Sequence, residues 1–134
     1  MSSFFDSNIL VYAFSTDVRR QRALTTIAGG GIISTQVLNE FTTVLRKKQR
    51  QDWTVIEAAV QSIRFRFPDI APLTADTHAA ALALARDDGF AFYDALIVAA
   101  AIEAGCDILY SEDMQHGRRV GGLTIVNPFI GSTP

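Results

Sequence analysis

One cysteine, Cys106, stands in a chain of 134 residues, so no disulfide can form within it. Cys106 lies between Gly105 and Asp107 with no second thiol and no neighbouring histidine, and it reads as a small buried hydrophobe. A reducing compartment is therefore allowed, and a cytoplasmic location is expected. Long apolar runs are missing as well: no segment approaches the roughly 18 uncharged residues that a membrane span requires. The opening "MSSFFDSNILVYAF" is apolar, but it has no basic leader and no small-residue cleavage site, and Asp6 interrupts it. Nor is there surplus positive charge. A net charge of −2 excludes holding nucleic acid by bulk charge, although Arg46, Lys47, Lys48 and Arg50 form a local cluster. That cluster is either a solvated helix end or a patch that contacts phosphate. Repeats, low-complexity tracts and linkers are absent too. With 49% hydrophobic and 19% charged residues, the chain fits one globular domain spanning 1–134.

What is present alternates between short apolar runs and amphipathic stretches. "SFFDSNILVYAF" predicts a strand ending at Asp6 and a helical turn or two from Asn8. "GIIST" predicts a second strand, with Ser34 and Thr35 as caps for a helix whose apolar face holds Val37, Leu38, Phe41, Val44 and Leu45. The basic cluster sits at its C-terminal end, where the helix dipole favours cations. Thr54 and Glu57 have capping-box spacing ahead of a helix that ends before Pro68. "IAPLT" fits a short strand or an extended link. Thr74 caps an alanine-rich helix that stops at Gly89, and "FYDALIVAAAIEAG" is a helix apolar nearly all round, closed by Gly105. "CDILYSED" and "GLTIVNPF" are the closing strands, the last stopped by Pro128, and Gly131 to Pro134 are expected to fray. This order predicts an α/β fold with a mainly parallel sheet.

Parallel α/β sheets carry functional groups at the carboxyl ends of their strands. Asp6 ends the first strand, Asp113 follows the Ile108 to Tyr110 strand, and Asp94 begins a helix that should start on the same edge. Glu40 lies about 100° from the centre of its helix's apolar stripe, on the border of the core. Each acid also has a plainer reading: Asp94 as a helix cap, Asp6 in a turn onto the Asn8 backbone, Glu40 as a surface residue. Glu112 competes with Asp113 for the place facing the cleft. Acids held about 5 Å apart repel by about 3 kcal/mol per pair at an effective dielectric of about 20, so a cluster needs protonation, a basic partner or a divalent cation. Oxygen ligands without Cys or His favour Mg²⁺ or Mn²⁺ over Zn²⁺, and such an ion suits phosphodiester hydrolysis.

The blocks "FFDSNILVYAF", "STQVLNEF" and "FYDALIVAAAIEAGCDILYSEDMQHG", in this order and spacing, resemble the PIN-domain family, and within it the VapC-type ribonuclease toxins of bacterial toxin–antitoxin pairs. The resemblance runs from near the first residue to past Gly117. It implies a single-domain, three-layer α/β/α sandwich. It further implies that Asp6 and Asp94 are the principal magnesium ligands, that Glu40 and Asp113 complete the catalytic acids, and that Ser7, Asn8 and Ser111 hydrogen-bond those carboxylates or waters. An RNA substrate, a small antitoxin that inserts into or covers the site, and a homodimer are the partners it implies.

Arg19, Arg20, Arg22 and the Arg46, Lys47, Lys48 and Arg50 cluster are candidates for steering RNA or meeting an acidic antitoxin. His116 is either a phosphate contact or an exposed loop histidine, and His78 is structural. Tyr12, Phe92 and Tyr93 either stack on an unpaired base or pack against the core. Two other functions compete with the metal-dependent endoribonuclease. One is an aspartyl-phosphate phosphatase with Asp6 as nucleophile, against which "DSN" lacks a second carboxylate two residues on. The other is a non-catalytic binding module that keeps the fold and the acidic rim as a docking surface.

Overall fold

The computed structural model describes residues 2–130, so the expected fraying of Gly131 to Pro134 lies outside the described residues. Strand β1 (Ser3–Phe5) leads into helix α1 (Ser7–Ala13), and a second helix, α2 (Arg20–Ile27), follows before β2 (Ile33–Ser34). The sequence reading passed over α2, and the reason is physical. Arg19 at its N-cap makes no side-chain cap, and only Ala23 and Ile27 are buried, so neither a start signal nor a full apolar stripe marks it. Helix α3 (Thr35–Thr43) is capped as expected, the Ser34 hydroxyl accepting from the Val37 N–H at 3.2 Å. It then widens into a π-helical turn, Val44–Lys48, which carries the basic cluster and ends near Arg50 at a φ of 53°.

Helix α4 (Trp53–Arg66) corrects a boundary. Asp52 occupies its N-cap position, so Thr54 and Glu57 lie inside the helix and form no capping box. Strand β3 (Ile70–Ala71) stops at Pro72, which has no N–H to donate. Helix α5 (Ala75–Asp88) is capped by Thr74, which receives the Thr77 N–H at 3.1 Å, and closed by Gly89 in the left-handed conformation. Helix α6 (Phe92–Glu103) buries every residue from Ala95 to Ala101, as its all-round apolar character demands. Strands β4 (Ile108–Tyr110), β5 (Arg119–Val120) and β6 (Leu123–Val126) complete the chain. The sequence reading did not separate β5, two residues joined to β6 across Gly121 and Gly122.

The main sheet has the order β1-β4-β6-β5, parallel except for β5 at the edge. On the other side of β1 a parallel bridge pairs Phe4 with Ile32, which brings β2 and its parallel neighbour β3 alongside. Gly31 permits that approach: a Cβ there would lie 2.6 Å from the Ser3 carbonyl oxygen and 2.5 Å from the Phe5 ring. The result is the expected α/β fold with a mainly parallel sheet. The chain leaves β1 for β2 on one side and later returns to β4 on the other, so β1 is a topological switch point and its carboxyl end opens a crevice. Phe4, Phe5, Ile33, Leu109, Ile125 and the α6 face form the core beneath it. Among the described residues, no helix is long and apolar enough to cross a membrane.

Candidate functional site

The parallel register of β1 and β4 sets Phe5 beside Tyr110, so the next residues, Asp6 and Ser111, leave the sheet side by side. The Asp6 N–H donates to the Tyr110 carbonyl at 2.9 Å, and the Ser111 hydroxyl donates to Asp6 Oδ2 at 2.7 Å. Asp6 is also the N-cap of α1. Its Oδ1 accepts the Ser7 N–H at 2.6 Å, so the turn closes on Ser7, not on Asn8 as the plainer reading of this acid has it. Asp6 is only 2% exposed. Loss of water pushes its carboxyl up to about 7, the bonds from Ser111 and Ser7 oppose the rise, and the charges of Glu40 and Asp94 add to it.

Glu40 arrives from the second turn of α3. The single hydroxyl proton of Ser7 is directed to Glu40 Oε1 at 2.9 Å, with Asp6 Oδ1 a weaker alternative at 3.4 Å. Gln36, one turn earlier and buried, donates to the other Glu40 oxygen at 3.1 Å. Sequence reasoning missed Gln36, although its i,i+4 spacing to Glu40 is the signal that would have found it. Asn8 uses both ends of its amide: Nδ2 donates to Asp113 Oδ2 at 3.0 Å, and Oδ1 accepts the Glu112 N–H at 3.3 Å. Ser7, Asn8 and Ser111 thus each touch an acid of the cluster or the loop that carries it.

Asp94 lies in the first turn of α6, where the helix dipole favours an acid. Ala91 holds the N-cap position of α6, and Asp94, at the third helical position, makes no capping hydrogen bond. Its carboxyl is half-buried and raised first by burial, then by the charges of Glu40 and Asp113. The charges of Glu40 and Asp94 bear on Asp6, those of Glu40 and Asp113 bear on Asp94, and the Ser7 hydroxyl lies between Asp6 and Glu40. Among the described residues the ion pairs join Arg19 to Asp17 and Glu112, and Arg86 to Asp87, and none reaches these acids.

Such a set of oxygen donors, short of positive charge, fits a hard divalent cation in chemistry. In spacing it is open. Among the described residues no three His, Cys, Asp or Glu stand as a ready-made metal set, and the acids meet through Ser7 and in pairs. Closing them on one ion needs side-chain movement by the half-buried Asp94 and Glu40 and the exposed Asp113, while Asp6 is held at both oxygens.

The basic candidates lie in different settings. Arg19 binds Asp17 and Glu112 and stacks over the Tyr12 ring at 4.1 Å. Arg46 stacks on Trp53 at 4.5 Å and donates to the Gln51 carbonyl at 3.1 Å, whereas Arg22, Lys47, Lys48 and Arg50 are exposed. His116 accepts the Asn127 N–H on Nδ1 at 3.0 Å, tying its loop to the end of β6. Phe92 packs edge-on against His78 at 5.1 Å, while Tyr93, beside Asp94, is 65% exposed. A groove of about 1220 Å³ is lined by Phe14, Arg20, Leu24, Phe65 and Arg66 among others, and none of the four acids borders it.

No curated protein matches the chain. Among solved structures it is similar to the Mycobacterium tuberculosis VapC20 toxin, described as cleaving the sarcin–ricin loop. The identity is 26%, over 84% of this chain and 90% of that one, with a TM-score of 0.69. A toxin–antitoxin complex from Klebsiella pneumoniae gives 22% identity, a TM-score of 0.72 and coverage of 95% and 98%. VapBC2 from Rickettsia felis, bound to a promoter DNA fragment, gives 20% identity, a TM-score of 0.68 and coverage of 93% and 97%. At the level of sequence families, the PIN domain model matches residues 3–121, which carry the switch-point strands and all four clustered acids, and the chain belongs to the PIN domain family.

Proposed function

We propose that this chain is a Mg²⁺-dependent endoribonuclease of the VapC type, the toxin of a type II toxin–antitoxin pair, acting in the cytoplasm. The observation that carries the reading is the buried Asp6 joined through Ser7 to Glu40, with Asp94 acting on Asp6 and Asp113 on Asp94 and, among the described residues, no Lys or Arg ion-paired to these acids. The similarity to a sarcin–ricin loop cleaving toxin and to toxin–antitoxin complexes supports RNA as substrate and an antitoxin as partner. Asp6 and Asp94 would hold the ion, Mg²⁺ or Mn²⁺, with Glu40 and Asp113 completing the acidic site. When bound, the cation polarises the scissile phosphoryl group and lowers the pKa of an attacking water.

The chain's own residues prepare this chemistry. Ser111 and the Ser7 N–H fix both oxygens of Asp6, and Ser7 and Gln36 fix both oxygens of Glu40. Asn8 restrains Asp113. Burial raises the proton affinity of Asp6 and Asp94, so a proton and a cation would compete for the same carboxylates. Exposed Arg20, Arg22 and Lys47 are candidates for steering the polyanion, and a homodimer would present two such sites.

The test is cleavage of purified RNA with Mg²⁺ and with EDTA, by the native chain and by the Asp6→Ala and Asp94→Asn variants. The expected result is cleavage that needs Mg²⁺ and falls at least about 100-fold in either variant, the scale on which removal of a key electrostatic group slows an enzyme. Equal activity in the variants, or full activity in EDTA, would reject the assignment.

A further inference from the structure

The loop after β4 offers two adjacent acids, Glu112 and Asp113, and backbone alone gives no reason for one rather than the other to face the acidic rim. Their carboxylates have different partners. Asp113 is met by the Asn8 amide, whose own helix starts at Asp6. Glu112 is drawn the other way: one carboxylate oxygen accepts the Tyr12 hydroxyl in a short hydrogen bond, and the other accepts Arg19 Nη1 at 2.9 Å. Arg19 is itself anchored. Its Nε and Nη2 donate to the two oxygens of Asp17 at 2.8 and 2.9 Å, and its flat face covers the Tyr12 ring at 4.1 Å. The Tyr12 ring in turn stands edge-on to Phe129 at 5.3 Å.

We propose that Arg19 and Tyr12 are positioning residues: they hold the Glu112 carboxylate out of the acidic rim, so that Asp113 is the only acid of the loop to join Asp6, Glu40 and Asp94. The inference rests on the reading of that rim as a metal-dependent nuclease site. Three of the five N–H donors of Arg19, including the Nε–Nη2 fork on Asp17, and its ring-facing surface are already engaged within the protein. Arg19 in this reading acts on the site through Glu112. A second freely moving carboxylate next to Asp113 would compete for the cation and repel the incoming phosphodiester.

The decisive experiment is a double-mutant cycle on the full chain with two readouts: Mn²⁺ affinity by calorimetry without RNA, and steady-state RNA cleavage. In Arg19→Met the released Glu112 turns toward the rim, so Mn²⁺ binding tightens by about tenfold while kcat falls by about tenfold, the scale of outer-shell effects on metal sites. Glu112→Gln alone changes both by less than about twofold, and Arg19→Met placed in that background is nearly silent, because the charge that Arg19 restrains is gone. Tyr12→Phe deletes only a hydroxyl donor and shifts Mn²⁺ affinity in the same direction, which keeps the claim testable if Arg19→Met folds poorly. Equal effects of Arg19→Met with Glu112 or Gln at that position, or a raised KM with Mn²⁺ affinity untouched, would make Arg19 an RNA contact and overturn the proposal. A native chain that binds Mn²⁺ but cleaves no RNA removes the nuclease reading and leaves the positioning claim to the calorimetric cycle. A native chain that binds no Mn²⁺ overturns both.

Discussion

Burial raises the Asp6 carboxyl from 3.8 to about 7, so without a cation the folded chain binds this proton more tightly than the unfolded chain does. Below 3.8 both states are protonated and the group costs nothing; from there to about 7 the unfolded chain gives up its proton first, and stability falls as pH rises. Asp94 is displaced in the same direction. Asp17, held down to about 2 by Arg19, has the opposite sign, but its window lies below 3.8. Thermal melts in EDTA are therefore expected to show Tm declining between about pH 5 and about pH 7, and Mg²⁺ or Mn²⁺ should restore it at the upper end by binding the folded state. Asp6→Asn keeps an acceptor for the Ser7 N–H and an amide that can donate to the Ser111 oxygen, while deleting the buried charge. In EDTA at about pH 8 it should melt a few degrees above the native chain, on the scale of about 2–8 °C per kcal/mol, yet fail to cleave RNA. A lower Tm for Asp6→Asn would show that its charge is compensated within the protein and needs no ion.

The elements that carry these acids were legible in the sequence where local signals were strong. The Ser34 and Thr74 caps, the Gly89 stop and the all-apolar run from Ala95 to Ala101 each specify a helix by a local rule, and each helix formed there. Polar α2 and two-residue β5 had no such signal, because both are held by tertiary contacts: α2 by packing on α1, and β5 by pairing with β6. Thr54 and Glu57 show the converse failure, a correct local spacing overridden by a helix that begins at Trp53. The approach of β2 to β1 depends on Gly31, where any Cβ would meet the Ser3 carbonyl at 2.6 Å. Gly31→Ala is expected to destabilise the chain by about 1–3 kcal/mol in urea unfolding, as overpacking does elsewhere. A loss under about 0.5 kcal/mol would mean that the strands separate without penalty and that this contact does not set the crevice.

Across the whole molecule, strand order decides which distant residues meet. The rule that parallel strands end where the site opens predicts Asp6, Glu40, Asp94 and Asp113 on one rim; the β1 switch point opens the crevice at Asp6, and Ser7 ties Glu40 to it. The sequence did not distinguish Glu112 from Asp113, nor reveal Gln36, because those assignments depend on side chains that meet across the crevice: Tyr12 and Arg19 with Glu112, Gln36 with Glu40. The central claim is that these acids tolerate one another by sharing a divalent ion. Anomalous diffraction from crystals grown with Mn²⁺ tests it most directly. The account predicts a manganese peak bonded to carboxylate oxygens of both Asp6 and Asp94, at the distances of about 2.0–2.6 Å typical of divalent ions. Saturating Mn²⁺ with no peak at that rim, or a peak bonded elsewhere while the rim stays empty, would contradict it.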